Sequence, residues 1–264
     1  MSRFISVAEL RDFTGQILDC RFALMDPEAG AAEFVAGHIP GARHLDLERD
    51  MSGAKGEHGG RHPLPAPADF AACLARMGID KETAVVLYDD SQGLYCARAW
   101  WMMRALGYRE PRLLAGGYAA WVADGGVPEV SVADGEPVAS PAVPDTWPGR
   151  CERADLADLQ ANGARLVDAR ETPRYRGEIE PIDPVAGHIP GAENRPWKDF
   201  VAAAGGLLPR AELETIWGDL LGDAPLVVYC GSGVSACVNI LALAELEREA
   251  TLYSGSWSDW CSYL

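Results

Sequence analysis

The chain has 264 residues, of which 48% are hydrophobic, and its formal net charge is −16 at pH 7. Such an acidic surface repels phosphate groups, so the composition argues against nucleic acid and anionic membranes as partners. No apolar run reaches the ~20 residues that cross a bilayer. The seven cysteines lack the spacing of a disulfide framework, so we expect a cytoplasmic protein. They also lack the spacing of a zinc site, so we expect no bound metal.

The first half of the chain alternates strand and helix. Residues 84–88 form a short apolar run with the pattern of a buried parallel strand. Residues 94–106 have the length and composition of a helix, which we expect to end at Gly107. A strand followed by a helix is the unit from which α/β sheets are built.

A proline-rich stretch follows the first half. Five prolines lie between residues 127 and 150, and little helical periodicity accompanies them. Because proline fixes φ and removes a hydrogen-bond donor, we expect residues 129–150 to form an extended linker.

The second half repeats the alternation of strand and helix. Glycines at 163 and 222 are expected to end its first two helices. The predicted helices are residues 155–159, 210–221 and 236–248, and the predicted strands are residues 165–169 and 225–229.

Several segments occur twice along the chain, in the same order. Gly-His-Ile-Pro-Gly-Ala stands at residues 37–42 and again at 187–192, and each copy follows an Asp-x-Arg sequence and precedes an apolar run that ends in tyrosine. A repeat of this length indicates a duplicated domain rather than a solenoid. We therefore predict an α/β fold of two domains, residues 1–128 and 151–264, each a mainly parallel sheet with helices on both faces.

A Cys-Gly-Ser-Gly-Val-Ser loop begins at Cys230, directly after a predicted strand, at the sheet edge where α/β proteins bind ligands. Gly231 and Gly233 let the chain curl and approach a ligand closely. The following helix offers unpaired N–H donors and a partial positive charge, which favour a thiolate and can hold an anion or a persulfide. Ser232 and Ser235 add hydroxyl donors. A buried, inert cysteine is the alternative, and the glycines and serines around this one favour a nucleophile.

The cysteine loop closely resembles the active loop of the tandem rhodanese family, the 3-mercaptopyruvate and thiosulfate sulfurtransferases. Both Gly-His-Ile-Pro-Gly-Ala copies and a Gly-Gly-Tyr-x-x-Trp segment are also similar to that family. The resemblance implies that only the C-terminal domain carries the nucleophile, and here Asp89 holds the position equivalent to Cys230. It further implies that Cys230 takes sulfur from a small anionic donor as a persulfide. The sulfur then passes to cyanide or to a thiol such as thioredoxin, without a cofactor.

The resemblance also implies which residues bind the donor. Arg174 matches the arginine with which the family holds the anionic group, and its planar fork suits a carboxylate or a sulfonate. The loop residues that would surround the sulfur are Gly231, Gly233, Val234 and Ser235. Mercaptopyruvate-preferring members tend to carry a second arginine where this chain has Asp183. The neutral residues after Cys230 are nevertheless unlike those of thiosulfate-specific members. The resemblance favours 3-mercaptopyruvate and leaves a thiosulfate-preferring enzyme open.

A proton relay is also implied. In the family, a serine of the loop is proposed to act with a histidine and an acidic residue of the first domain. The candidates here are Ser232, His62, and either Asp46 or Glu48. Histidine titrates near neutral pH and a carboxylate can orient it, so the set is chemically reasonable.

Two other functions would use a loop of this kind. A phosphatase or arsenate reductase of related fold needs an arginine at the position of Ala236, so the sequence argues against that function. A persulfide carrier that does not turn over would use the same residues as the enzyme, and the sequence leaves it open.

Overall fold

The computed structural model describes residues 2–131 and 135–264, which fall into two compact units. One unit contains the chain up to Gly53 with Pro65–Pro148 and Ala203–Gly206, and the other contains Ala54–Leu64, Gly149–Ala202 and Leu207–Leu264. Within the described ranges, no helix has the length and apolar character needed to cross a membrane. Part of the predicted linker, residues 132–134, lies outside the described residues, and residues 135–149 contain no helix or strand.

The first unit is built on a parallel sheet of five strands in its described part. Its order is β1-β5-β4-β2-β3. The strands are β1 (Phe4–Ile5), β2 (Gln16–Asp19), β3 (Arg43–His44), β4 (Val85–Tyr88) and β5 (Arg112–Leu114). The α-helices are α1 (Val7–Arg11), α2 (Ala29–Ala36), α3 (Pro67–Arg76), α4 (Leu94–Ala105) and α5 (Gly117–Ala123).

The central strand β4 is buried at all four of its residues. Since successive side chains of a strand point to opposite faces, full burial means that both faces of this sheet are covered. On one face Val86 and Tyr88 pack with Ile5, Phe34 and Trp121, which come from β1, α2 and α5. Burying an aliphatic or aromatic side chain of this size stabilises the fold by about 1.5–3 kcal/mol.

The second unit has the same topology with every strand number raised by five. Its parallel sheet has the order β6-β10-β9-β7-β8. The strands are β6 (Arg150–Cys151), β7 (Arg165–Asp168), β8 (Glu193–Asn194), β9 (Leu226–Tyr229) and β10 (Thr251–Tyr253). The α-helices are α6 (Leu156–Ala161), α7 (Thr172–Tyr175), α8 (Arg210–Trp217), α9 (Ala236–Glu245) and α10 (Ser256–Cys261). The prediction of a duplicated α/β domain is confirmed.

One predicted helix is shorter than expected. Residues 210–221 were expected to form a single helix, but α8 ends at Trp217 and a 3₁₀ turn, Gly218–Leu221, follows it. Gly218 has φ +54°, a left-handed conformation that glycine adopts easily and that an α-helix cannot continue through. Trp217 and Leu220 are both buried, so the apolar spacing persists across the break.

The repeated sequence motif ties loops to the carboxyl ends of the strands. In the second unit, Arg170 donates from Nη2 to the carboxylate of Asp168 at 2.7 Å and to the carbonyl of Gly187 at 2.6 Å. The N–H of Ile189 donates to the hydroxyl of Tyr229 at 3.1 Å. The first unit makes the same three bonds at the equivalent positions. Because both copies share this network, we assign it to holding the strand ends rather than to chemistry.

Candidate active site

Cys230 lies at the carboxyl end of β9 and is only 2% exposed. Its Sγ accepts a hydrogen bond from the N–H of Gly233 at 3.2 Å. Its own N–H donates to the hydroxyl of Ser256 at 3.1 Å, and its carbonyl accepts from the N–H of Trp257 at 2.9 Å. Ser256, which the sequence reasoning missed, holds φ +58°, a left-handed conformation that is uncommon for serine. The N–H of Gly233 therefore contacts the sulfur, and the start of α10 holds the backbone of Cys230.

The loop after Cys230 curls into the first turn of α9. Gly233 has φ +77°, which directs its N–H back toward the sulfur and strongly favours glycine at that position. Val234 and Ser235 then accept the first helical bonds, at 3.0 Å each, from the next turn. The thiol of Cys237 donates to the carbonyl of Gly233 at 3.4 Å. The predicted loop residues thus form one short connection between a strand end and a helix N-terminus.

Ser232 and His62, two of the candidates for the proton relay, are brought together. Nδ1 of His62 lies 2.8 Å from Oγ of Ser232, and both side chains are buried. His62 belongs to the segment Ala54–Leu64, which lies in the same unit as β9. A hydroxyl and an imidazole that share a hydrogen bond can pass a proton between them.

Asp46, the predicted acid of the relay, lies in the first unit and has local partners there. Its Oδ1 accepts from the N–H groups of Glu48 and Arg49 at 2.9 and 2.8 Å. Its own N–H donates to Oδ2 of Asp50 at 2.9 Å. These bonds stabilise a turn, and the assignment of Asp46 to proton transfer stays a prediction.

Arg174, the predicted donor ligand, lies on α7 beside the cysteine loop. A methyl group added to Gly231 would lie 3.5 Å from its Nη1. Its Nη2 donates to Glu180 at 2.6 Å and to Asp183 at 3.2 Å. Two carboxylates therefore share the charge of the arginine that was expected to bind an anionic donor.

A second arginine, Arg61, approaches the same loop, and sequence reasoning did not select it. The methyl group added to Gly231 would lie 3.0 Å from Nη2 of Arg61. Its Nη1 forms an ion pair with Oδ1 of Asp183. Burial raises the pKa of the Asp183 carboxyl, and the neighbouring arginines oppose that rise. The sequence signal that was available is the position of Arg61 directly before His62.

The equivalent loop of the first unit carries Asp89 in place of a cysteine. Its Oδ1 accepts from the N–H groups of Ser91 and Gly93, at 2.8 Å each. Its Oδ2 accepts from the N–H groups of Tyr95 and Cys96, at 3.0 and 3.1 Å. In this copy of the loop, four backbone N–H groups therefore donate to the carboxylate of Asp89.

A model of the rhodanese-like domain matches residues 6–124 and 152–263. The chain belongs to the rhodanese-like family. The two matched rhodanese-like segments are the two halves of the internal repeat, so the duplication predicted from the sequence is confirmed. Cys230 lies in the second rhodanese-like domain and Asp89 lies in the first. Among the residues that the structure describes, no group of three or more His, Cys, Asp or Glu side chains could hold a metal ion.

Several rhodanese-like relatives of this chain are named as sulfurtransferases. A Pseudomonas aeruginosa protein named as a probable 3-mercaptopyruvate sulfurtransferase is 47% identical over 258 residues, covering 92% of this chain and 88% of the relative. A Mycobacterium tuberculosis protein named provisionally as thiosulfate sulfurtransferase SseB is 40% identical, covering 93% of this chain and 87% of that one. The crystal structure of the 3-mercaptopyruvate sulfurtransferase SseA from Escherichia coli superposes with a TM-score of 0.81 at 35% identity, covering 98% of this chain and 100% of that chain. The prediction that this rhodanese-like chain is a sulfurtransferase is confirmed.

Proposed function

We propose that this sulfurtransferase moves sulfur from 3-mercaptopyruvate or thiosulfate to a thiol or to cyanide through a persulfide on Cys230. The observation that carries the proposal is the position of the Cys230 sulfur. It lies at the carboxyl end of a central parallel strand and accepts an N–H bond within a loop that opens a helix. Backbone donors and the helix N-terminus both favour the thiolate, which is the nucleophilic form of the side chain.

The reaction proceeds in two steps through a covalent intermediate. The thiolate attacks the sulfur of the donor and a new S–S bond forms on Cys230. With 3-mercaptopyruvate the C–S bond breaks, and the proton of the donor thiol ends on the pyruvate carbon that carried the sulfur. With thiosulfate the S–S bond breaks and sulfite leaves. The acceptor then attacks the outer sulfur and releases the Cys230 thiolate.

Ser232 and His62 supply the proton transfer in the first step. Their 2.8 Å hydrogen bond lies in the loop that carries the nucleophile, so a proton taken from the donor thiol can be returned to the departing enolate.

The first rhodanese-like domain indicates how the loop would hold the persulfide. An aspartate oxygen is two bonds from Cβ, as the outer sulfur of a cysteine persulfide would be. The four donors around Asp89 stand two, four, six and seven residues after it. At the last of these offsets from Cys230, the N–H of Cys237 donates instead to the carbonyl of Val234 at 3.0 Å. The N–H groups at the other three offsets belong to Ser232, Val234 and Ala236. We propose that they surround the outer sulfur in the same way and stabilise its negative charge.

We propose 3-mercaptopyruvate as the preferred donor. Gly231 and Ser232 carry no charge, and the Pseudomonas aeruginosa and Escherichia coli relatives are named for 3-mercaptopyruvate. A thiosulfate-preferring enzyme is the second candidate, since the Mycobacterium tuberculosis relative is named for thiosulfate. In either case the anionic group of the donor meets Arg174, which lies beside Gly231.

The two domains divide the work in this proposal. Residues 1–128 form a non-catalytic domain, residues 129–150 a linker and residues 151–264 the catalytic domain, and His62 is supplied to the site by the segment Ala54–Leu64. All seven cysteines lie in the described residues, and each is a thiol rather than half of a disulfide. Such thiols suit a reducing compartment such as the cytoplasm, where a dithiol protein such as thioredoxin is a suitable acceptor.

Turnover of both donors by two cysteine variants tests the proposal. Cys230→Ala should abolish turnover of 3-mercaptopyruvate and of thiosulfate, whereas Cys237→Ala, a matched change seven residues further on, should retain it. The ratio of the two wild-type kcat/KM values identifies the preferred donor. A carrier without turnover would release one equivalent of product and stop. Multiple turnovers by Cys230→Ala would exclude Cys230 as the nucleophile.

A further inference from the structure

A cavity lies at the carboxyl ends of β6 and β10, in the second unit. Its volume is about 450 Å³, and its lining includes Cys151 and Tyr253, the last residues of those two strands. Small-molecule sites have volumes of about 300–1,000 Å³, and α/β sheets bind ligands beyond the carboxyl ends of their strands. The described lining does not include Cys230, Ser232 or Arg174, so this cavity is separate from the site of the proposed reaction.

Arg153 brings a positive charge to the lining of this cavity. Within the described residues no carboxylate forms an ion pair with it, although the chain has a net charge of −16. Its Nε is buried and has no hydrogen-bond acceptor in the same part of the chain. A buried donor on a charged group is costly to leave unsatisfied, so the N–H groups of Arg153 favour an anion in the cavity.

The two acids of the lining are engaged by other partners. Asp259 accepts from the N–H of Gly59 at 2.7 Å through Oδ1 and from the hydroxyl of Tyr253 at 2.6 Å through Oδ2. Glu152 forms an ion pair with Nη2 of Arg150, a second cation of the lining. Neither acid therefore neutralises Arg153.

Aromatic side chains hold the guanidinium group of Arg153. Its central carbon lies 4.1 Å from the centre of the Tyr263 ring and 5.1 Å from that of the Trp260 ring. The imidazole of His58 stacks on Tyr263 with the ring centres 3.9 Å apart and the planes 9° apart. One ring face has no room for both groups, so the Tyr263 ring lies between His58 and Arg153. Cation–π contacts of this kind fix the guanidinium group without using its N–H donors.

The lining opposite in character to Arg153 is apolar. Pro63, Leu64 and Ala154 contribute to it, and the ring of Tyr263 adds a flat surface. A carboxylate matches the planar fork of a guanidinium group, and a flat apolar body matches the remaining lining. Inorganic anions alone would leave most of this volume unfilled.

We propose that this cavity is a second ligand site, which binds a small aromatic carboxylate through the N–H donors of Arg153 and packs its ring against Pro63 and Leu64. The site adds a binding function that the transfer of sulfur at Cys230 does not require. Gly255, which lines the cavity, directly precedes Ser256, whose hydroxyl accepts the N–H of Cys230, so a ligand here lies against the segment that holds the nucleophile.

Benzoate is the probe, and benzamide is its uncharged counterpart of the same size. Benzoate is titrated into the ¹⁵N-labelled protein, and the amide signals are followed by NMR. The amides of Gly59, Ala154 and Gly255, which line the cavity, should shift and saturate. Benzamide should bind about tenfold more weakly or worse, since it lacks the charge that meets Arg153. Absent shifts at these amides, or equal Kd values for the two probes, would overturn the proposal without any variant.

Three variants locate the charge that binds benzoate. Arg153→Gln should raise Kd by about tenfold or more, and Arg153→Lys, which keeps the charge but loses the planar fork, should recover part of that loss. The matched control is Arg210→Gln, because Arg210 is an exposed arginine of the same unit outside the lining, and its Kd should equal that of the wild type. An unchanged Kd in folded Arg153→Gln would contradict the role of Arg153.

A last variant separates this cavity from the candidate active site. Benzoate can also meet Arg174 beside Gly231, so Arg174→Ala is titrated in the same way. The shifts of Gly59 and Ala154 should persist in Arg174→Ala and be weakened in Arg153→Gln. The reverse pattern would show that benzoate occupies the active site alone, and would overturn the proposal.

Discussion

Substituting Asp89 removes four backbone hydrogen bonds at one point of the first domain. Its two carboxylate oxygens accept from the N–H groups at residues 91, 93, 95 and 96, over distances of 2.8–3.1 Å. The side chain is 2% exposed, so bulk water does not compete for these donors in the native state. We predict that Asp89→Ala destabilises the protein.

The magnitude follows from the number of donors left unpaired. Each buried N–H without an acceptor costs about 1–3 kcal/mol. Two effects offset part of this cost: the desolvation of the carboxylate is relieved, and a cavity of about 350 Å³ lined in part by Asp89 can admit water to some donors. We therefore expect Asp89→Ala to lose about 3–5 kcal/mol. Asp89→Asn keeps one accepting oxygen and should lose about 2 kcal/mol.

Thermal unfolding followed by circular dichroism measures the effect. At about 2–4 °C per kcal/mol, Asp89→Ala should lower Tm by about 10 °C. The matched control is Asp90→Asn, whose carboxylate accepts a single N–H, that of Ala119 at 2.9 Å. Burial raises the pKa of Asp90, so its ionised form is disfavoured in the folded state and neutralising it relieves that cost. Equal Tm losses in Asp89→Ala and Asp90→Asn would refute the reasoning.

Three further outcomes are expected. Iodoacetamide near neutral pH should label Cys230 before Cys73 and Cys151, because burial raises the pKa of each of the latter thiols to about 12; peptide mass mapping that finds Cys73 labelled first would contradict this. His62→Ala should lower kcat by about a hundredfold or more, since general acid–base catalysis contributes at least that much, and an unchanged kcat in the folded variant would exclude proton transfer by His62. Gly233→Ala should cost about 1–2 kcal/mol of stability, because φ is +77° at this residue. The same change should slow turnover by displacing the N–H from the Cys230 sulfur, and unaltered turnover in the folded variant would show that this N–H is dispensable.

Much of the fold could be predicted because the sequence motifs of the domain occur twice in the chain. The two sheets have identical strand orders, and each copy of the Gly-His-Ile-Pro-Gly-Ala motif makes the same contacts at its strand ends. The end of α8 could not be predicted in the same way. Apolar spacing continues through Trp217 and Leu220, and only the left-handed φ of Gly218, which a sequence does not reveal, ends the helix.

In the candidate site, the residues that are adjacent in the sequence could be predicted, and most contacts between residues far apart in the sequence could not. The cysteine loop is contiguous, so its glycines, serines and nucleophile are visible in one stretch of sequence. The contact between Ser232 and His62 needed the family resemblance, because the two residues are 170 positions apart. The pairing of Arg61 with Asp183 spans 122 positions and has no periodic pattern or repeat to indicate it. Only folding places that arginine beside Gly231.

The most direct test of the central claim is the location of the transferred sulfur. The protein is treated with one equivalent of 3-mercaptopyruvate or thiosulfate without an acceptor, and its peptides are then weighed by mass spectrometry. The account predicts that the Cys230 peptide gains the mass of one sulfur atom and loses it on addition of cyanide, with thiocyanate released. A sulfur found on another cysteine, or product formed while Cys230 never carries sulfur, would contradict it.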